Sequence, residues 1–74
     1  MVLSDLKVND GGIITDIKLD AKIKRRLNEL GFNKGVKVMV KRVGILKSPI
    51  EIQIMNFTVA IRKELASKIE IKYE

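Results

Sequence analysis

The sequence predicts a mainly β protein with one short α-helix, its five short strands folded into a small barrel. Three observations carry that prediction. From Pro49 to Arg62, apolar residues alternate on both sides of a two-residue turn, the pattern of a hairpin with one buried face. Around Gly31 and Gly35, a helix stop and a tight turn lead directly into another alternating run. Further alternating runs lie near both ends. Five short strands in 74 residues favour a barrel, because closure removes exposed sheet edges.

Residues 1–74 are expected to form a single domain. A chain of this size buries only about 60% of its unfolded surface, so each apolar position matters. With no cysteine, neither a disulfide nor a thiolate metal site can reinforce it, and a reducing cytoplasm fits. Met1-Val2-Leu3 passes at once into Ser4 and Asp5, unlike a signal peptide. No apolar run approaches the ~18 residues of a membrane span, so direct membrane insertion is not expected.

In chain order, Leu3-Ser4-Asp5-Leu6 reads as one turn capped by Ser4. Asn9-Asp10-Gly11-Gly12 is a turn signal. The first strand is expected over Ile13–Leu19. Ile13, Thr15, Ile17 and Leu19 alternate with polar positions, but Ile14 falls on the polar side, which a bulge or burial of both faces at one end explains. Asp20 is a candidate N-cap for a helix over Ala21–Leu30, with Ile23, Leu27 and Leu30 as its apolar stripe. Gly31 sits where a helix needs a left-handed residue to end. Leu27 and Phe32 then occupy the paired positions of a Schellman stop. Gly35 fits the third position of a type II turn on Asn33-Lys34-Gly35-Val36.

The second strand is expected over Val36–Val43 and is broken by Gly44. Ile45-Leu46-Lys47-Ser48 form a loop into Pro49, with Ile45 and Leu46 either tucked in or exposed. A turn at Met55-Asn56 pairs Ile54 with Phe57, Ile52 with Val59 and Ile50 with Ile61, placing all six on one face. Asn56 is expected to supply the positive φ of that turn. Lys63–Lys68 reads as a helical turn with Leu65 and Ala66 inward, and Ile69, Ile71 and Tyr73 alternate in a final strand.

The net charge of +6 is uneven. Lys18–Lys47 holds ten basic residues against two acids, whereas the rest holds five bases and seven acids. The middle of the chain is therefore positive, which speeds encounter with acidic proteins, RNA or membrane faces. Histidine and cysteine are absent, the carboxylates are scattered, and no base accompanies Ser4, Ser48 or Ser67. No catalytic residue, metal-ligand set or cofactor is expected. Gly11-Gly12 is not a phosphate loop, because no Gly-Lys-Ser/Thr follows it. Met39 and Met55 read as packing or surface residues. Only three aromatics occur; Phe32 and Phe57 are assigned to the core, leaving few rings for base stacking.

The motif order resembles the FeoA family, small companions of the bacterial ferrous-iron transporter FeoB. Leu3-Ser4-Asp5-Leu6 and Gly11-Gly12 are similar to its opening. Arg26-Leu27-Asn28-Glu29-Leu30-Gly31-Phe32 with Gly35 resembles its Arg-Leu-x-x-Leu-Gly-φ-x-x-Gly motif. Ser48-Pro49-Ile50-Glu51 resembles Asp-Pro-φ-Glu, and Val59-Ala60-Ile61-Arg62 with Ala66 and Ile69 resembles the family's close. The stretch Gly44–Pro49 departs from the family's frequent Ala-Pro-Leu-Gly-Asp-Pro, and Lys34 stands where proline is frequent. The resemblance implies an SH3-like barrel, a fold also found as the C-terminal domain of metal-dependent repressors. It also implies a cytoplasmic accessory role, with the GTPase-bearing cytoplasmic region of FeoB as partner and recruitment to the inner membrane by that transporter.

The expected partner surface is the loop Gly44, Ile45, Leu46, Lys47, Ser48 and Pro49 with neighbouring Arg25, Lys41 and Arg42, because exposed loops carry function. Arg62 is expected to be buried or half-buried, tying the barrel to a carbonyl or carboxylate; the other reading is a partner contact. The protein is expected to be a monomer or weak oligomer. Two further functions stay open: a basic nucleic-acid-binding barrel, and weak divalent-metal binding at scattered carboxylates.

Overall fold

The computed structural model describes all of Met1–Glu74. The strands are β1 (Gly11–Ile17), β2 (Lys37–Val43), β3 (Ile50–Ile54), β4 (Phe57–Ile61) and β5 (Ile69–Tyr73); the helices are α1 (Ala21–Glu29) and α2 (Lys63–Ala66). Single 3-10 turns cover Leu3–Asp5 and Ile45–Lys47. All strands belong to one antiparallel sheet, ordered β4-β3-β2-β1-β5. The end strands β4 and β5 are not paired with each other, so the small five-stranded barrel stays open between them and the ladder leaves two edges. The fifteen buried core residues are all apolar, from Leu3 to Ile71.

Two bulges set which side chains face that core. The β1–β5 register shifts between Ile14 and Asp16, so Ile14 and Ile17 both turn inward although they are three residues apart. Ile14 is thus a core residue, and the broken parity of the sequence was the mark of the bulge. A second shift lies between Val40 and Arg42 in the β2–β3 pair. It leaves both Lys41 and Arg42 exposed, where strict alternation would turn Arg42 toward the core.

The helix-to-strand corner follows its predicted chemistry. Asp20 accepts a hydrogen bond from the Ile23 amide at 3.0 Å and caps α1. Phe32 N–H donates to Leu27 O at 2.9 Å and Gly31 N–H to Asn28 O at 3.1 Å, the two bonds of a Schellman stop. Gly31 has φ 105° and Gly35 φ 86°. Val36 N–H closes the turn onto Asn33 O at 3.1 Å. Leu27 and Phe32 are buried, but Leu30 is 41% exposed. Leu30 occupies the C-cap, one residue beyond the helix, so it does not complete the buried stripe the spacing suggested.

The β3–β4 register matches the expected pairs, from Ile50 with Ile61 to Ile54 with Phe57. Burial does not follow for all six: Val59 is half-buried and Phe57 is 44% exposed, because β4 is an end strand with core on one flank only. The positive φ of the turn falls on Met55, at 53°, not on Asn56. At the N-terminus the capping group is Asp5, whose carboxylate accepts the Val2 amide at 3.0 Å; Ser4 lies inside the turn. The next turn also lies slightly earlier than expected: Asp10 N–H donates to Lys7 O, Asn9 has φ 75°, and Gly11 and Gly12 already belong to β1.

Candidate functional site

The segment between β2 and β3 is a tight loop that holds two aliphatic side chains in solvent. Ser48 N–H donates to Ile45 O at 3.3 Å, Lys47 N–H to Gly44 O at 3.0 Å, and Gly44 N–H to Pro49 O at 2.9 Å. This closure brings the Gly44 backbone so near Ser48 that a Cβ would lie 2.6 Å from the Ser48 carbonyl oxygen. The loop turns through Leu46 (φ 61°) and Lys47 (φ 65°), both left-handed without being glycine. Such residues cost about 1–2 kcal/mol each. Ile45 is 89% and Leu46 87% exposed, which resolves their open placement in favour of solvent.

Basic groups flank this apolar tip. Lys41 and Arg42 are carried outward by the β2 bulge. Arg42 Nε lies 3.9 Å from Glu51, an exposed and therefore weak pair. Lys41 and Lys47 have no acidic partner. Ser48 is more structural than its position in the loop suggested: its hydroxyl accepts the Lys63 amide at 3.2 Å, fastening the loop to the start of α2. Arg25 stands apart on the exposed surface of α1, with no hydrogen bond or ion pair to the loop.

Two bases that the sequence reading did not single out join the site. Lys7 and Lys63 line, with Lys47, a surface cleft between the loop and the N-terminal turn. Residue 7 lies 40 residues before 47, and 63 lies 16 after it, so only the fold brings them together. Arg62 corrects an expectation. It is exposed and forms no bond to a carbonyl or carboxylate; it lines a different cleft, between α1 and the end of β4.

No three His, Cys, Asp or Glu side chains gather in a group suited to a metal ion. No helix is long and apolar enough to cross a membrane. The arrangement is an exposed apolar tip flanked by cations, of which Arg42 alone has an acidic partner.

Such a fold defines a small SH3-like domain, here with an exposed apolar loop flanked by bases. The FeoA domain model matches residues 1–73, and the chain belongs to the FeoA family, small accessory proteins rather than enzymes. It is 32% identical over 72 residues to the Fe(2+) transport protein A/Fe(2+) transporter FeoB fusion protein of Porphyromonas gingivalis. That match covers 97% of this chain and 8% of the relative, so the chain spans about a twelfth of the fusion protein's length. The FeoA solution structure from Chlorobium tepidum is 32% identical, with TM-score 0.92, covering 99% of this chain and 70% of that one. Stenotrophomonas maltophilia FeoA, crystallised with zinc, is 30% identical at TM-score 0.83, covering 97% of this chain and 89% of its own. It is described as a prokaryotic SH3 domain protein and a candidate ferrous-iron transport activating factor. A manganese-dependent transcriptional repressor shares the fold alone, at 18% identity and TM-score 0.90, over 36% of its length.

Proposed function

We propose that this protein is a non-catalytic accessory module of ferrous-iron uptake, which docks by its 44–49 loop onto the cytoplasmic, GTPase-bearing region of a FeoB transporter. The observation that carries this reading is the pair Ile45 and Leu46, exposed to solvent on a loop that turns through left-handed Leu46 and Lys47. Exposed aliphatic residues on a strained loop fit a surface that is completed by a partner. Lys41, Arg42 and Lys47 steer the approach of an acidic surface, and Arg25 adds to the same positive field from α1. The covalent fusion of a related domain to FeoB in Porphyromonas gingivalis supports the choice of partner. The module works in the cytoplasm and reaches the inner membrane through the transporter.

Calorimetric titration against the cytoplasmic region of the host's FeoB tests this, with single-stranded RNA as the competing ligand. Saturable binding to the transporter region, lost in Leu46→Asn and weakened in Lys41→Glu, is expected. Binding to RNA in preference would overturn the reading in favour of a nucleic-acid barrel.

A further inference from the structure

The two edges of the sheet are finished differently. The outer edge of β5 is protected: Glu70 and Lys72 place charges along it, Ile71 N–H donates to Met1 O at 2.9 Å, and Val2 bridges to Glu70. Strand β4, Phe57-Thr58-Val59-Ala60-Ile61, has no charge, no proline and no bulge. Its two-residue turn makes Ile54 and Phe57 a hydrogen-bonded pair. The ladder then alternates, so Ile52–Val59 and Ile50–Ile61 are also bonded pairs. Thr58 and Ala60 therefore aim their N–H and C=O groups away from β3. Neither residue makes a backbone bond outside the sheet. Both are exposed. Open edges of this kind are ready templates for another strand, and proteins ordinarily block them.

Beside this edge runs a cleft of about 700 Å³ between α1 and the β4–α2 segment. Ile23 and Leu30 line it from the helix, and Ala60 and Leu65 from the other wall. Arg26 and Arg62 line it from opposite sides, and neither has an ion-pair partner. Glu64, at the α2 end, is its single acid.

We propose that β4 is a strand-addition site, which takes an extended segment of a partner protein that bears apolar and acidic residues in alternation. Thr58 and Ala60 supply the main-chain hydrogen bonds, the cleft takes the apolar side chains, and Arg26 and Arg62 select carboxylates. A second copy of this chain fits poorly. Two-fold pairing of β4 with itself would oppose the arginines of both copies, each carrying a net charge of +6. The site is separate from the 44–49 loop and goes beyond the docking proposed there.

The probe is an end-blocked heptapeptide of alternating Val and Glu, compared with its Val–Lys counterpart, while amide exchange is followed in the full chain. Millimolar Val–Glu peptide is expected to slow exchange at Thr58 and Ala60 about tenfold, and the Val–Lys peptide to bind about tenfold more weakly. Unaltered exchange at both amides, or equal affinity for the two peptides, overturns the proposal. Protection that rises with protein concentration without peptide also overturns it, in favour of self-pairing. Ala60→Pro removes an outward N–H and spares the β3 ladder, so it should abolish peptide binding. Should that variant not fold, Arg62→Glu should lower Val–Glu affinity about tenfold. Retained affinity in either folded variant overturns the proposal. Leu46→Asn, which tests the loop, should leave peptide binding unchanged.

Discussion

Leu27 and Leu30 lie three residues apart on one turn of helix, yet their surroundings differ. Leu27 is 3% exposed beside the core, whereas Leu30 sits on the C-cap and lines the open cleft. Leu27→Ala should cost about 2–5 kcal/mol, because it opens a cavity. Leu30→Ala should cost less than about 1 kcal/mol, because much of its side chain already meets water. Urea unfolding midpoints of the two variants separate these values. The glycines of the corner make a second contrast. Gly31 and Gly35 both have positive φ, so alanine at either is strained by about 1–2 kcal/mol. At Gly31 a Cβ would also press on Ile54 at 3.3 Å, while at Gly35 it meets nothing within 4 Å. Gly31→Ala should therefore be the more destabilising, with similar unfolding slopes in both variants.

At the scale of the element, the 44–49 loop and β4 show the same economy: each leaves groups unsatisfied that a purely structural segment would hide. The loop keeps Leu46 at φ 61° and in water. Asparagine tolerates that backbone better than leucine does. Leu46→Asn should thus hold or raise stability, by up to about 1 kcal/mol, while it weakens transporter binding. Thermal unfolding and calorimetry on the same preparation test the two signs together. Loss of both stability and binding would mean that Leu46 packs somewhere in the folded chain. Gly44→Ala should differ in its effect on stability, because its Cβ would strike the Ser48 carbonyl and force the loop open. It should lose binding and stability together.

For the whole molecule, charge contributes little to folding. The four ion pairs are exposed, at 3.0–3.9 Å, and every buried residue is apolar or glycine. Exposed pairs contribute about 0–1 kcal/mol each and are screened by salt. Raising salt from about 0.05 to 0.5 M should therefore change the unfolding free energy little, while it slows association with an acidic partner several-fold. Stopped-flow association rates and denaturant curves over the same salt series check this. A steep loss of stability with salt would show that the ion pairs hold the fold together.

Local chemistry alone determined the helix and its two caps, the type II turn and the hairpin register. Asp20, Gly31, Gly35 and the alternating isoleucines act on neighbours within a few residues, so their signals are complete in the chain. Alternation also marked where β1 bulges, through the misplaced Ile14. The loop residues of the candidate site were legible as an exposed segment, and the absence of histidine and cysteine bounded its chemistry. Tertiary structure alone decided the rest. It set Phe57, Leu30 and Arg62 at the surface, because the depth of an end strand or a helix cap depends on what packs beyond it. It brought Lys7 and Lys63 to Lys47, and it shielded β5 while leaving β4 bare. These outcomes depend on contacts between segments far apart in the chain, and periodicity, which reads a residue only against its near neighbours, carries no information about them.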